Sequence, residues 1–268
     1  MVYAIGLIIG SLLGLTGAGG SVFAVPLLVI ATQLPAKQAM GVALGAVAFS
    51  ALYGVIQQRK NVLWIPGLII ATGGMTLAPV GNWLAGNLDD AWLMAGFSVL
   101  AINIAVKMWR QANQQPELTK ITRAGAQESI PTNNMSCRLS ETGVFHLGFR
   151  CVSGLFLGGL GIGLLSGLFG VGGGFLIVPF LIFLSQLPMQ SAVATSLFTI
   201  VLISSTGFIA HLGINHHFNY ALLLKIVVAG VLGMALSQRL AKHLAGPTLQ
   251  KVFSILLATV SIATLFTL

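Results

Sequence analysis

One glycine-rich motif occurs twice and interrupts an apolar stretch each time. Gly14-Leu15-Thr16-Gly17-Ala18-Gly19-Gly20 is followed by Pro26, and Gly167-Leu168-Phe169-Gly170-Val171-Gly172-Gly173 by Pro179, at a constant offset of 153 residues. A helix break inside an apolar segment, once in each half of a chain, points to a transport site in a membrane protein. The breaks therefore limit the chain to folds in which irregular backbone is sheltered at membrane depth.

The membrane assignment rests on composition. Of the 268 residues, 56% are hydrophobic and 7% charged, and the mean hydropathy is +0.95; a soluble domain carries about 25% charged residues. The net charge of +8 would suit nucleic acid in a soluble protein. Here the basic residues cluster in loops, where they orient membrane segments, so no nucleic-acid partner is expected. Cys137 and Cys151 lack metal-ligand spacing and read as free thiols, with no metal site and no cofactor. The first residues read as the start of a membrane segment, not a cleaved signal.

Windows of about 20 apolar residues predict full spans near 38–57, 64–86, 91–109, 190–211, 219–241 and 247–267. Two longer regions, 2–33 and 151–186, hold the glycine breaks. The chain divides into a first transmembrane repeat (1–110), a polar cytoplasmic linker (111–148) and a second repeat (149–268). The duplication reaches beyond the glycines: from Gly6 to Gly54, 19 of 49 positions are identical at the 153-residue offset. Gln33-Leu34-Pro35 returns as Gln186-Leu187-Pro188. Later the match shifts, with Gly73 opposite Gly230.

Charge placement chooses between two topologies. If each broken segment crosses once, the repeats are parallel. If each is a re-entrant hairpin, each half has three crossings and the repeats are inverted. The inverted arrangement puts Arg59, Lys60, Lys107, Arg110, Lys120, Arg123, Arg138, Arg150, Arg239, Lys242 and Lys251 on the linker side. That fits the excess of Lys and Arg in cytoplasmic loops. Residues 21–32 as helix rise about 18 Å, roughly half of a ~30 Å hydrocarbon core. The predicted fold is an all-α polytopic membrane protein of two homologous, inverted repeats, each a re-entrant glycine-rich segment plus three transmembrane helices.

The breaks also suggest chemistry. After each, a new helix starts near Ser21 or Gly174, and its first turn presents unpaired N–H groups at the positive end of the helix dipole. Two such ends near the midplane hold a small anion without a charged side chain. The candidate binding residues are Thr16, Gly17, Gly19, Gly20 and Ser21 in the first copy and Gly170, Gly172, Gly173 and Gly174 in the second. Thr195, Ser196 and Thr199 follow the second hairpin as further donors. The ladders Gly6-Gly10-Gly14 and Gly159-Gly163-Gly167 read instead as packing faces. No Lys-Ser/Thr follows the motif, so it is not a nucleotide loop. His211, His216 and His217 read as a solvated loop, with proton coupling as the sharper alternative.

These features resemble the sulfite exporter TauE/SafE family of membrane permeases: a glycine ladder, G-[LF]-x-G-x-G-G, an apolar stretch with proline and a Leu-Pro turn, at Gly14 to Pro35 and Gly167 to Pro188. The resemblance implies a multi-pass protein of the bacterial inner membrane that transports sulfur-containing anions such as sulfite or organosulfonates. The first copy departs from the second, with Thr16 for Phe169 and Ser21 for Gly174, which makes the half-sites unequal. The expected function is a secondary transporter exporting a small anion, with the lipid bilayer as its surroundings and homo-oligomerisation left open. The rival readings are an intramembrane hydrolase using Ser21 and a histidine, and an accessory membrane subunit without flux of its own.

Overall fold

A computed structural model describes residues 2–16, 20–114, 138–139, 145–146, 149–185, 189–214 and 219–244, with 254, 255, 258, 259 and 261 beyond. The helices are α1 (Val2–Thr16), α2 (Ser21–Thr32), α3 (Ala36–Gln58), α4 (Trp64–Asn87), α5 (Asp90–Gln114), α6 (Phe149–Phe169), α7 (Gly174–Ser185), α8 (Met189–Ile214) and α9 (Tyr220–Leu244). A 3₁₀ turn, Arg59–Asn61, joins α3 to α4. The only strands among the described residues form a two-residue antiparallel pair, Arg138–Leu139 with Phe145–His146, inside the predicted linker. Among the described residues, five helices are long and apolar enough to cross a membrane: Ala36–Asn61, Trp64–Asn87, Phe149–Phe169, Gln190–Gly213 and Tyr220–Gln238. In α5 the apolar part is shorter, Asp90–Val106. The span expected at 247–267 lies mostly outside the described residues.

Glycine sets which helices meet. α1 packs along α9, where a Cβ at Gly6 would lie 2.6 Å from the Ile226 carbonyl oxygen. A Cβ at Gly10 would run into the backbone of Gly230, and one at Gly14 would meet Met234 and Ser237. The second pair, α4 with α6, repeats this: Gly159 lies over Ile70, Gly163 over Gly74 and Gly167 over Ala78. Helices that come this close bring backbone against backbone, the small-residue packing of membrane proteins. The ladders are packing faces, as their spacing predicts. Both pairs climb in step, so α1 runs parallel to α9 and α4 parallel to α6. Gly230 and Gly74 take like places, each against a ladder glycine.

The third long contact, α3 with α8, runs the other way. Gly41 meets His211, Gly45 meets Phe208 and Gly54 meets Leu197, so the two helices are antiparallel. The broken segments fold back. Gly173 lies against Ile162 and Ser166, while Gly158 lies against the Phe180 ring further along, so α7 returns beside α6. α2 and α7 have 12 residues each, whereas α6 has 21 and runs the length of a span before the turn.

Polar contacts fasten one end. The Ala36 N–H at the start of α3 donates to Asp90 Oδ2 (3.1 Å), and Lys37 Nζ donates to the Gly86 carbonyl (3.0 Å) in the last turn of α4. Each charge sits where the helix dipole favours it. Gln33 stops α2 in the left-handed conformation (φ 52°), its N–H bonded to the Val29 carbonyl, before Leu34-Pro35.

Outward faces are apolar, with Leu7, Ile56, Leu157, Ile209 and Leu224 exposed. Trp64, Trp109 and Phe149 are exposed near the helix ends on the linker side, and Tyr3, Trp83, Trp92 and Tyr220 near the opposite ends. Aromatic residues at two levels around an apolar surface mark the two membrane interfaces. Cys151 is buried and disulfide-bonded, not the expected free thiol; spacing along the chain does not report pairing through space. Cys137 lies outside the described residues.

Candidate functional site

The second glycine break is buried. Gly170, Gly172 and Gly173 have φ of 67°, 73° and 67°, the left-handed region that glycine enters without a Cβ penalty. The turn ends α6 at Phe169 and starts α7 at Gly174. The Gly173 carbonyl accepts from the N–H groups of Leu176 (3.1 Å) and Ile177 (3.4 Å), which makes Gly173 the first cap of α7. The N–H groups preceding these in the first turn have no partner within the helix and face the turn.

Both long core helices line this tip. Met40 of α3 touches Gly170. At Gly172 a Cβ would lie 2.6 Å from Ser204 Oγ, 3.1 Å from Val47 Cγ1 and 3.7 Å from Ile200 Cγ2. Val47 and Ile200 are themselves 153 residues apart, so the tip meets corresponding points of α3 and α8.

The first break is described in part. Gly17 and Gly19 lie outside the described residues, and of Thr16 the helical backbone alone is described. Gly20 caps α2 with φ −60°, in the right-handed region, and accepts from the Phe23 N–H (3.3 Å). A Cβ there would strike the backbone of Leu13 in α1. Ser21 is fully buried at the start of α2.

The hydroxyl candidates on α8 are placed elsewhere. Thr195 Oγ1 accepts from the Leu63 N–H (3.0 Å) at the entry to α4. Thr199 Oγ1 donates to the carbonyls of Thr195 (3.0 Å) and Gly67 (3.4 Å), and Ser196 Oγ donates to the Val193 carbonyl (2.8 Å). These bonds tie α8 to α4 and to itself. His211 is 3% exposed and packs over Gly41. It belongs to the bundle, not to the solvated loop expected of it, because α8 continues to Ile214. His216 and His217 lie outside the described residues. Lys225 is exposed on α9.

Ser204 (α8) and Ser166 (α6) are buried polar side chains beside the tip that the motif does not include. Asn82 (α4) is a third buried polar residue, with its backbone nitrogen against Gly167 of α6. Single polar residues in apolar helices carry no spacing signal.

No three His, Cys, Asp or Glu residues among those described are grouped to hold a metal ion. The family model described as Sulfite exporter TauE/SafE matches residues 2–264. A probable membrane transporter protein of Xylella fastidiosa (strain Temecula1) is 28% identical over 262 residues, spanning 95% of this chain and 90% of the relative. The probable membrane transporter protein YunE of Bacillus subtilis is 28% identical over 249 residues, spanning 88% and 87%. A probable membrane transporter protein of Methanocaldococcus jannaschii is 26% identical over 261 residues, spanning 90% and 87%. No solved structure matches the chain.

Proposed function

The chain belongs to the sulfite exporter TauE/SafE family, and from that premise we propose a secondary transporter that exports a small sulfur-containing anion, such as sulfite, across the bacterial inner membrane. The membrane-transporter role follows from the family and from the apolar spans. The anion and its direction of movement are our reading.

The observation that carries it is the second hairpin tip, an interior backbone turn of left-handed glycines at the start of α7. A helix start suits an anion, and among the described residues Asp89 and Asp90 are not beside it. Asp89 and Asp90 sit at the opposite helix junction, beside the start of α3.

The two repeats are inverted in this reading. If the broken segments each crossed the membrane once, α3 and α8 would run in the same direction. Their contacts descend in opposite directions, which favours hairpins and inversion. Alternating access then comes from rocking the α1–α9 and α4–α6 pairs about the core of α3 and α8.

Flux of sulfite in proteoliposomes tests the reading. Gly172→Val puts a branched side chain against Ser204, Val47 and Ile200 on a backbone that disfavours it. Flux should fall at least tenfold while the protein still reconstitutes. Wild-type flux in that variant removes the tip from the mechanism.

A further inference from the structure

We infer that Ser204, Ser166 and Asn82 form the side-chain part of a single oxyanion site at the second hairpin tip, and that its two serines have no counterpart in the first half of the chain. The inference rests on the tip reading above and adds which side chains bind, and how many anions. Ser204 is fully buried and its Oγ has no hydrogen-bond partner, yet it lies against Gly172. Ser166 is 1% exposed, its Oγ is also unpartnered, and its Cβ is in van der Waals reach of Gly173. Asn82 is 5% exposed with Nδ2 unpartnered, and its backbone nitrogen faces Gly167 on the last turns of α6.

Hydroxyls elsewhere in the bundle behave differently. Thr32, Thr72, Thr76, Thr199, Thr206 and Ser237 donate to carbonyls of their own helices, the ordinary way a membrane helix satisfies Ser and Thr. A buried polar group left unpaired lowers stability, so two unpaired hydroxyls against one turn, with a third unpaired group on the helix packed along α6, call for a role. The unpaired atom of Asn82 can only donate, both hydroxyls can donate, and the first-turn N–H groups of α7 can only donate. Neutral donors converging on one turn match a ligand that accepts at several atoms and brings its own negative charge. A small oxyanion has that chemistry.

The offset that relates the two breaks denies the two serines to the first. Positions 51 and 13 correspond to Ser204 and Ser166 and hold Ala and Leu. Gln238 stands 156 residues after Asn82, and its amide, also unpartnered, lies beside Gly54. Ser50, also unpartnered, faces Gly230 away from the second tip.

The test uses the purified full chain, titrated separately with sulfite, sulfate and thiosulfate by calorimetry, with thermal unfolding measured alongside. One anion should bind per chain. Ser204→Ala should weaken binding by about tenfold, the effect of one hydrogen bond to a charged group, while the anion-free protein melts at the same temperature or higher. The isosteric Asn82→Asp should abolish binding, and Ser50→Ala should leave it unchanged. Wild-type affinity in both Ser204→Ala and Asn82→Asp, with binding lost in Gly172→Val, overturns this assignment and keeps the tip. A lowered anion-free melting temperature in Ser204→Ala with unchanged affinity also overturns it, by making the hydroxyl structural. If wild type binds none of the three anions, or Gly172→Val binds as wild type, the tip reading fails and this inference with it.

Discussion

The two breaks carry the same glycine motif, and the described glycines of each serve different ends. In the second, Gly173 stands at φ 67°; in the first, the corresponding Gly20 stands at φ −60°. Gly173 is glycine because its backbone is left-handed. Gly20 is glycine because the backbone of Leu13 occupies the place of a Cβ. The surroundings differ too, with Ser204 and Ser166 at one tip where the other half of the sequence offers Ala51 and Leu13. The ladders show the opposite trend. Gly10 over Gly230 and Gly163 over Gly74 are the same contact made twice.

The strongest way to break this contrast is to load both ladders. Gly10→Ala and Gly163→Ala each force a methyl group into facing backbone, which cannot yield as a side chain would. Each should destabilise by about 2–3 kcal/mol, the upper range for overpacking, and by similar amounts in detergent unfolding. If one variant is neutral, the two helix pairs are not equivalent.

A second pair of variants separates the tips. At position 173, Gly173→Asn should be less harmful than Gly173→Ala, because Asn tolerates the left-handed region where Ala loses about 1–2 kcal/mol. At position 20 the order should reverse, since only size matters there and Ala is smaller. Unfolding midpoints of the four variants measure this; the same order at both positions would erase the distinction between the turns.

The smallest expected effect concerns the anchoring of the first hairpin. Asp90→Asn removes a charge from the start of α3 but keeps the shape, at about 0.3–1 kcal/mol. High salt should narrow the gap to wild type. A loss above 2 kcal/mol would mean that Asp90 holds the first hairpin by more than a capping charge.

Much of this was legible along the chain. The spans predicted at 38–57, 64–86, 190–211 and 219–241 compare with helices at Ala36–Gln58, Trp64–Asn87, Met189–Ile214 and Tyr220–Leu244. Apolar length and polar punctuation report these directly. The site was legible only as backbone, through the consecutive glycines of the second break. Its side chains were not, because Ser204 and Asn82 are lone polar residues without periodicity. Thr195 and Thr199 looked like donors to a ligand, but their bonds go to Leu63 and Gly67 across the α4 interface. His211 looked solvated because it stands near a polar His-His pair, while the helix carrying it runs past that point.

The sequence by itself determined a membrane protein, its principal spans, two glycine breaks and a duplicated first part in each half. Hydropathy and glycine content are local properties, and partition into lipid depends on little else. Only the tertiary structure decided that α1 pairs with α9 and α4 with α6, that α3 and α8 run antiparallel, and that Gly20 and Gly173 differ in hand. Those outcomes depend on how closely two backbones can approach and on which side chains fill the space between them. Neither quantity belongs to any one segment of the chain.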